Sequence, residues 1–347
     1  EVTSQAEPGR RDAYSSNTRA PVDPRARLVR VTRTLLPIYT ALTLLLWLLQ
    51  LLGGETPLVA ICHAMSIMAT SGVSPVGGIG AAQAGVAGEM VMLLFLLFAL
   101  SRLTFSSDTV AVGHGRLDKD PEFRTGMLII IGVPTLLFLR HWIASLEVNT
   151  SDDLMMGLAS FWGALFTVTS FLTTTGFESA YWFSAQEWSG LETPGMILLG
   201  LAVMGGGVAT TAGGVKLLRV FALYLAGVRE LERLVHPHSI SGAGSINRRM
   251  RRHGAFQAWI FFMLFAMTLA AATALFALLG SSFENSMVLR ISALTTTGPL
   301  VRIGAETPID LASISAASKG VFCAVMVLGR LELVAIIALL NPDLWRD

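Results

Sequence analysis

Cysteine and charge are both scarce in this chain. Two cysteines among 347 residues, Cys62 and Cys323, exclude a disulfide framework, and their spacing suits no metal site. Both fall in apolar stretches and read as small buried hydrophobes. Charged residues make up 14% of the chain, against about 25% in a soluble domain. That shortage, with a hydrophobic fraction of 53% and a mean hydropathy of +0.61, excludes an ordinary soluble globule and points to an integral membrane protein in a lipid bilayer. There is also no nucleophile–base constellation, no metal-ligand cluster and no phosphate loop, so catalysis has no support and no covalently bound cofactor is expected. The net charge of +1 gives no reason to expect a nucleic-acid partner. The first thirty residues are polar and Arg-rich, so no removable signal peptide is expected among them. The chain opens on Glu1 rather than Met, and an upstream part is expected.

The apolar segments come in pairs. Spanning helices are expected at about 34–52 and 86–105, 125–146 and 194–228, and 255–280 and 312–340. Each pair encloses a shorter apolar stretch, Pro57–Ala69, Leu158–Leu172 or Ser286–Leu294, too short to cross and suited to a half-helix that enters and leaves on one side. Three repeats of helix, pore loop and helix result, at 34–105, 125–228 and 255–340. Their pore loops fall at 57–73, 158–177 and 286–299, and polar linkers at 106–124 and 229–254 join them. The fold class is therefore all-α and integral to the membrane, with the repeats around a central ion pore.

The charges sort by side. Seven arginines precede the first span, four basic residues (Arg102, Arg116, Lys119, Arg124) lie between the first two pairs, and eight lie between Lys216 and Arg252. The pore-loop segments hold only Arg140, Arg290 and Arg302. By the positive-inside rule, residues 1–33, the linkers and the tail 341–347 are cytoplasmic. The pore loops then dip in from outside, where Glu55, Glu89, Glu147, Asp152, Asp153, Glu178, Glu187, Glu192, Glu284, Glu306 and Asp310 would concentrate cations. For any single acid, ordinary solvated loop polarity explains its place equally well.

Each short stretch ends in hydroxyls and a glycine: Thr70-Ser71-Gly72-Val73, Thr174-Thr175-Gly176-Phe177 and Thr296-Thr297-Gly298-Pro299. Gly176 follows Gly72 by 104 residues, and Gly298 follows Gly176 by 122. A dehydrated monovalent cation needs several neutral oxygens, which backbone carbonyls of an extended loop supply. Glycine permits the required angles and the close approach of several loops. The lack of acids within the loops suits a monovalent ion better than Ca²⁺ or Mg²⁺. A lone Thr-Thr-Thr-Gly would read as a glycine-capped helix end, but the motif stands at the same place in three repeats.

A second feature is Met204-Gly-Gly-Gly-Val-Ala-Thr-Thr-Ala-Gly-Gly-Val-Lys216, in the middle of an apolar segment. Gly205, Gly206, Gly207, Gly213 and Gly214 should break the helix, and a broken helix at membrane depth is tolerated where it lines a water-filled path. With Thr210, Thr211 and Lys216 this loop is a candidate gate beneath the filter. A dinucleotide-binding loop fails, since no strand precedes it and no acidic ribose partner follows; close helix packing by small residues remains open. Arg330 lies within the last expected span, where a buried arginine is costly and functional. Pairing with Glu332 or snorkelling towards the inner surface are its alternatives, although residues two apart on a helix do not face each other. Lys319 enters the same span, His63 reads as a packing or hydrogen-bonding residue, and Pro134 is expected to kink its helix.

Together these residues resemble the membrane subunit of the Trk/Ktr/HKT superfamily of potassium transporters, in its bacterial Trk form. The resemblance covers nearly the whole chain. It is carried by Gly72, Gly176, Gly298, the Gly205–Lys216 loop, Asp120-Pro-Glu-Phe-Arg124, His236-Pro237 and Gly329-Arg-Leu-Glu332. It implies four repeats around one pore, of which this chain shows what look like the second, third and fourth. It further implies K⁺ as the transported substrate, bound only at the filter residues, a bacterial inner-membrane location, a homodimer, and a cytoplasmic ring of nucleotide-binding regulatory subunits of the RCK type. The basic segments Arg102–Arg124 and Arg229–Arg252 are candidate docking surfaces for that ring. Two filters depart from the family pattern: Thr-Ser-Gly-Val-Ser-Pro has no second glycine, and Thr-Thr-Thr-Gly-Pro-Leu replaces an asparagine–valine version. A secondary carrier with a mid-membrane site at the broken helix and a non-conducting fragment are the competing readings.

Overall fold

In a computed structural model of the chain, residues 24–100, 120–145, 154–190, 194–208, 210–236, 254–305 and 307–331 are described. These residues form twelve α-helices and no strand: α1 Pro24–Leu52, α2 Pro57–Ala69, α3 Gly85–Leu96, α4 Pro121–Ser145, α5 Leu154–Leu172, α6 Trp182–Ser189, α7 Pro194–Met204, α8 Leu217–Val235, α9 Ala255–Leu278, α10 Phe283–Thr295, α11 Leu300–Ile303 and α12 Ala316–Arg330. A 3₁₀ turn, Leu97–Leu100, continues α3. The chain divides into two compact units, residues 1–42 and 43–347, and α1 runs across the division. In the first unit Thr40 returns its hydroxyl to the carbonyls of Leu36 and Pro37, so the helix continues past Pro37, whose missing N–H would otherwise weaken it.

Everything that follows lies in the second unit. Four stretches are long and apolar enough to cross a membrane: Leu35–Leu52, Pro121–Arg140, Met155–Leu172 and Ala255–Leu278. Their burial separates them. The stretches on α1, α4 and α9 are only 11%, 28% and 22% buried, whereas that on α5 is 61% buried. An apolar helix that leaves most of its surface outward suits contact with lipid; α5 is instead an interior helix. It packs against α3, α4, α6 and α7, as α10 packs against α7, α9 and α12, and α2 against α3. The same outward faces carry the cysteines. Cys62 is half-buried and Cys323 exposed, so neither is the fully buried hydrophobe expected, because an apolar solvent removes the need to hide a thiol.

Local chemistry sets the helix ends. Proline at the first position opens α2, where its missing N–H costs nothing. Ser282 and Ser315 cap α10 and α12 by accepting from the amides of Asn285 and Ser318. The cap at Ser282 starts α10 three residues before Ser286, where apolarity alone would begin it. One apolar core, including Leu100, Phe171, Leu172, Trp182, Leu198 and Leu217, joins α4–α8. A second, including Phe261, Phe265, Phe276, Leu294, Phe322 and Val325, joins α9, α10 and α12. The acids Glu147, Asp152, Asp153, Glu192, Glu306 and Glu332 lie outside the described residues, as do most of the linkers Arg102–Arg124 and Arg229–Arg252.

Candidate ion path

The helices α2, α5 and α10 end alike. Thr70, Thr174 and Thr296 are their last caps, each in the left-handed region with φ of 48°, 58° and 57°. Each cap amide donates to the carbonyl three residues back: Thr70 to Ile67, Thr174 to Phe171 and Thr296 to Ala293. The next amide reaches five residues back to a serine carbonyl: Ser71 to Ser66 at 2.9 Å, Thr175 to Ser170 at 2.9 Å and Thr297 to Ser292 at 3.0 Å. The serine hydroxyls bind the loops as well. Ser170 Oγ accepts from the Phe177 amide at 2.7 Å, and Ser292 Oγ donates to the Thr297 carbonyl at 2.8 Å. A β-carbon is strained in this conformation, so three threonines adopting it mark a shared requirement. The sequence pattern Ser-x-x-x-Thr-(Ser/Thr)-Gly carried the signal, although the serines did not stand out beside the glycines.

These ends meet. A β-carbon on Gly72 would collide with the Thr175 carbonyl and lie 2.9 Å from the Pro299 ring; one on Gly176 would lie 2.9 Å from Thr297 Cγ2 and 3.0 Å from Pro299 Cδ. Both glycines have positive φ, 65° and 86°. Gly298 differs: its φ is not positive, and a β-carbon there would meet nothing within 4 Å. Ser71, Gly72, Val73, Gly176, Phe177, Gly298 and Pro299 line one wide cleft of about 1180 Å³.

Buried polar groups hold this arrangement. Glu89 on α3 is fully buried and accepts from Trp162 Nε1 at 2.8 Å, Ser179 Oγ at 2.7 Å and the Ala180 amide at 2.7 Å. Glu55, 5% exposed, accepts from the amides of Thr56 and Ala84. Neither belongs to a solvated acidic rim; a carboxylate taken out of water has to be matched by several donors. Glu178 lies in the cleft wall, where burial pushes its carboxyl up and Arg302 partly offsets this. His63 Nε2 lies 2.8 Å from Ser74 Oγ, and its ring meets the Phe177 ring edge-on at 5.5 Å.

On the threonine side of the loops sits residues 205–216. Here α7 ends and the chain forms a hairpin before α8. Its neck is closed by backbone bonds from Val215, Lys216 and Leu217 to the carbonyls of Val203, Met204 and Gly206, all 2.9 Å. The strands of the neck lie so close that a β-carbon on Gly205 would strike the Gly213 carbonyl, and one on Gly214 would lie 2.7 Å from that of Ala202. Lys216 takes a φ of 80°, and its ammonium folds back onto the carbonyls of Ala212 and Thr210. The hairpin touches all three caps. Thr70 Oγ1 donates to Thr211 Oγ1 at 3.1 Å, the Gly213 amide donates to Thr174 Oγ1 at 2.7 Å, and a β-carbon on Gly213 would strike the Thr295 carbonyl. Gly207 donates to the Ala99 carbonyl, and Thr210 Oγ1 to the Gly207 carbonyl at 2.6 Å.

Arg330 is the last residue of α12 and is exposed, not buried inside a span; its Nη1 donates to the Thr211 carbonyl at 2.8 Å. With Thr210, Lys216, Thr296 and Phe261 it lines a cavity of about 180 Å³ between the hairpin, α9, α10 and α12. Lys319 bonds the Ala312 carbonyl near the other end of α12. Among the described residues no group of three His, Cys, Asp or Glu side chains is placed to hold a metal.

A family model described as TrkH, cation transport protein, matches residues 38–343. The Trk system potassium uptake protein TrkH of Salmonella typhimurium is 29% identical over 232 residues, 66% of this chain and 44% of that protein. The protein of the same name from Vibrio parahaemolyticus is 28% identical over 327 residues, 92% of this chain and 64% of its own length, so the chain spans about half to two thirds of these relatives. The crystal structure of the potassium transporter TrkH from Vibrio parahaemolyticus superposes with a TM-score of 0.73 at 28% identity, covering 93% of this chain and 66% of that one. The chain belongs to the TrkH family of cation transport proteins and is an all-helical, multi-pass membrane protein.

Proposed function

We propose that this chain supplies the pathway for K⁺ uptake across a bacterial inner membrane. The observation that carries the reading is the convergence of three loops with one backbone plan. Thr70–Val73, Thr174–Phe177 and Thr296–Pro299 are its filter, lying between the cleft and the hairpin. Neutral oxygens suit a monovalent ion that sheds its water, and K⁺ is the cargo that the relatives' names give for them. The glycine-rich hairpin Gly205–Lys216 is the gate: it sits against the threonine caps and closes the path on that side. Arg330 holds it there through the Thr211 carbonyl, and a cation so placed opposes ion passage until it moves. Basic linkers on one face make that face cytoplasmic and offer the docking surface for a nucleotide-binding regulatory ring, with the transporter as a homodimer.

Rb⁺ uptake into proteoliposomes containing the full-length protein tests this. Uptake suppressed by excess K⁺ but not by equal Na⁺ is the expected result. Equal suppression by both ions would overturn the selectivity, and no uptake even with the hairpin shortened by Gly205–Gly207 would overturn the transport reading.

A further inference from the structure

The glycine-rich hairpin hangs from two neighbouring amides. Gly207 N donates to the Ala99 carbonyl at 2.9 Å, and Val208 N donates to Glu122 Oε1 at 2.9 Å. Ala99 belongs to the turn that ends α3, and Glu122 to the first turn of α4, so the two holders come from different helices. Ala99 is 7% exposed and Glu122 is fully buried. A β-carbon on Gly206 would lie 2.8 Å from the Ala99 carbonyl, so the approach is as close as a backbone without side chain allows. The carboxylate sits at the N-terminal end of α4, where the helix dipole favours negative charge. Its amide is itself taken by Asp120 Oδ1 at 3.4 Å, which ties the side chain's own backbone into the helix start. A hydrogen bond to an ionised acceptor is about twice as strong as a neutral one.

We propose that Glu122, with the Ala99 carbonyl, is a clasp that sets the closed position of the hairpin, a positioning role distinct from the filter and from Arg330. The inference rests on the ion-path reading. Arg330 and the threonine caps grip the far limb of the hairpin at Thr211 and Gly213; the clasp grips the near limb at Gly207 and Val208. A hairpin held on both limbs stays seated, and one released on a single limb spends part of its time displaced. None of the clasp atoms belongs to the loops Thr70–Val73, Thr174–Phe177 or Thr296–Pro299. The clasp therefore governs how often the path is open, and not which ion passes.

The test measures basal Rb⁺ flux, half-saturating K⁺ and K⁺/Na⁺ preference in proteoliposomes of the full-length protein. Glu122→Leu should raise basal flux roughly tenfold, the weight of one lost hydrogen bond to a charged group, with half-saturation and preference unchanged. Glu122→Gln keeps an oxygen acceptor and should raise it less. Replacing residue 208 by its α-hydroxy acid removes only the N–H and leaves Glu122's other interactions intact. It should match Glu122→Leu, and the two together should add nothing further. Should Glu122→Leu fail to fold, the hydroxy-acid variant decides alone. Unchanged flux in that variant, or a shift of preference along with flux, overturns the clasp. Shortening the hairpin by Gly205–Gly207 separates the two ideas: raised flux there, with none from the clasp variants, overturns the clasp and leaves the gate standing. No flux in any variant overturns the ion path and the clasp with it.

Discussion

A methyl group at Gly72 or Gly176 has no room, whereas one at Gly298 meets open space. The first two also hold positive φ, a conformation that costs an L-residue about 1 kcal/mol or more. Gly72→Ala should therefore lower the melting temperature of the purified protein clearly more than Gly298→Ala, in a thermal-unfolding comparison of the two variants. Equal shifts would contradict the asymmetry between the loops. Gly176→Ser pushes against Thr297 and Pro299, so it should weaken K⁺ preference over Na⁺ in flux competition. Glu89 acts at the same scale from behind. Glu89→Leu strips the partner from Trp162, Ser179 and the Ala180 amide, and each orphaned buried donor costs about 1–3 kcal/mol. A large loss of melting temperature is expected, and Glu89→Gln, which still accepts, should recover part of it.

The element that matters most is the hairpin between α7 and α8. Its glycines are required by contact as much as by conformation: Gly205 faces the Gly213 carbonyl, and Gly213 faces that of Thr295. Gly213→Ala should lift the hairpin from the caps and raise basal flux. Arg330→Ala should do so more weakly, because its bond to the Thr211 carbonyl is exposed and water can replace it. The break was legible in the sequence because five glycines in ten residues cannot sustain a helix, and the loop ends were legible because Thr-Gly recurs at matching places. Glu89 and Glu122 were not. Their partners lie 73 to 91 residues away, and an isolated acid in an apolar stretch looks the same whether it faces water or a buried amide. Arg330 misled in the opposite sense: its apolar neighbours suggested burial, but it ends its described helix exposed.

Across the whole molecule, one side of the three loops opens on a wide cleft and the other is covered by the hairpin. The long helices α4 and α9 leave most of their apolar surface outward, as a lipid-embedded chain requires. The central claim is that a monovalent cation sits where the loops converge. Anomalous diffraction from crystals of the full-length protein grown in Rb⁺ tests it most directly. The account predicts a peak beside Thr70–Gly72, Thr174–Gly176 and Thr296–Gly298, lost when Rb⁺ is exchanged for Na⁺. A peak elsewhere on the chain with none at these loops would contradict it.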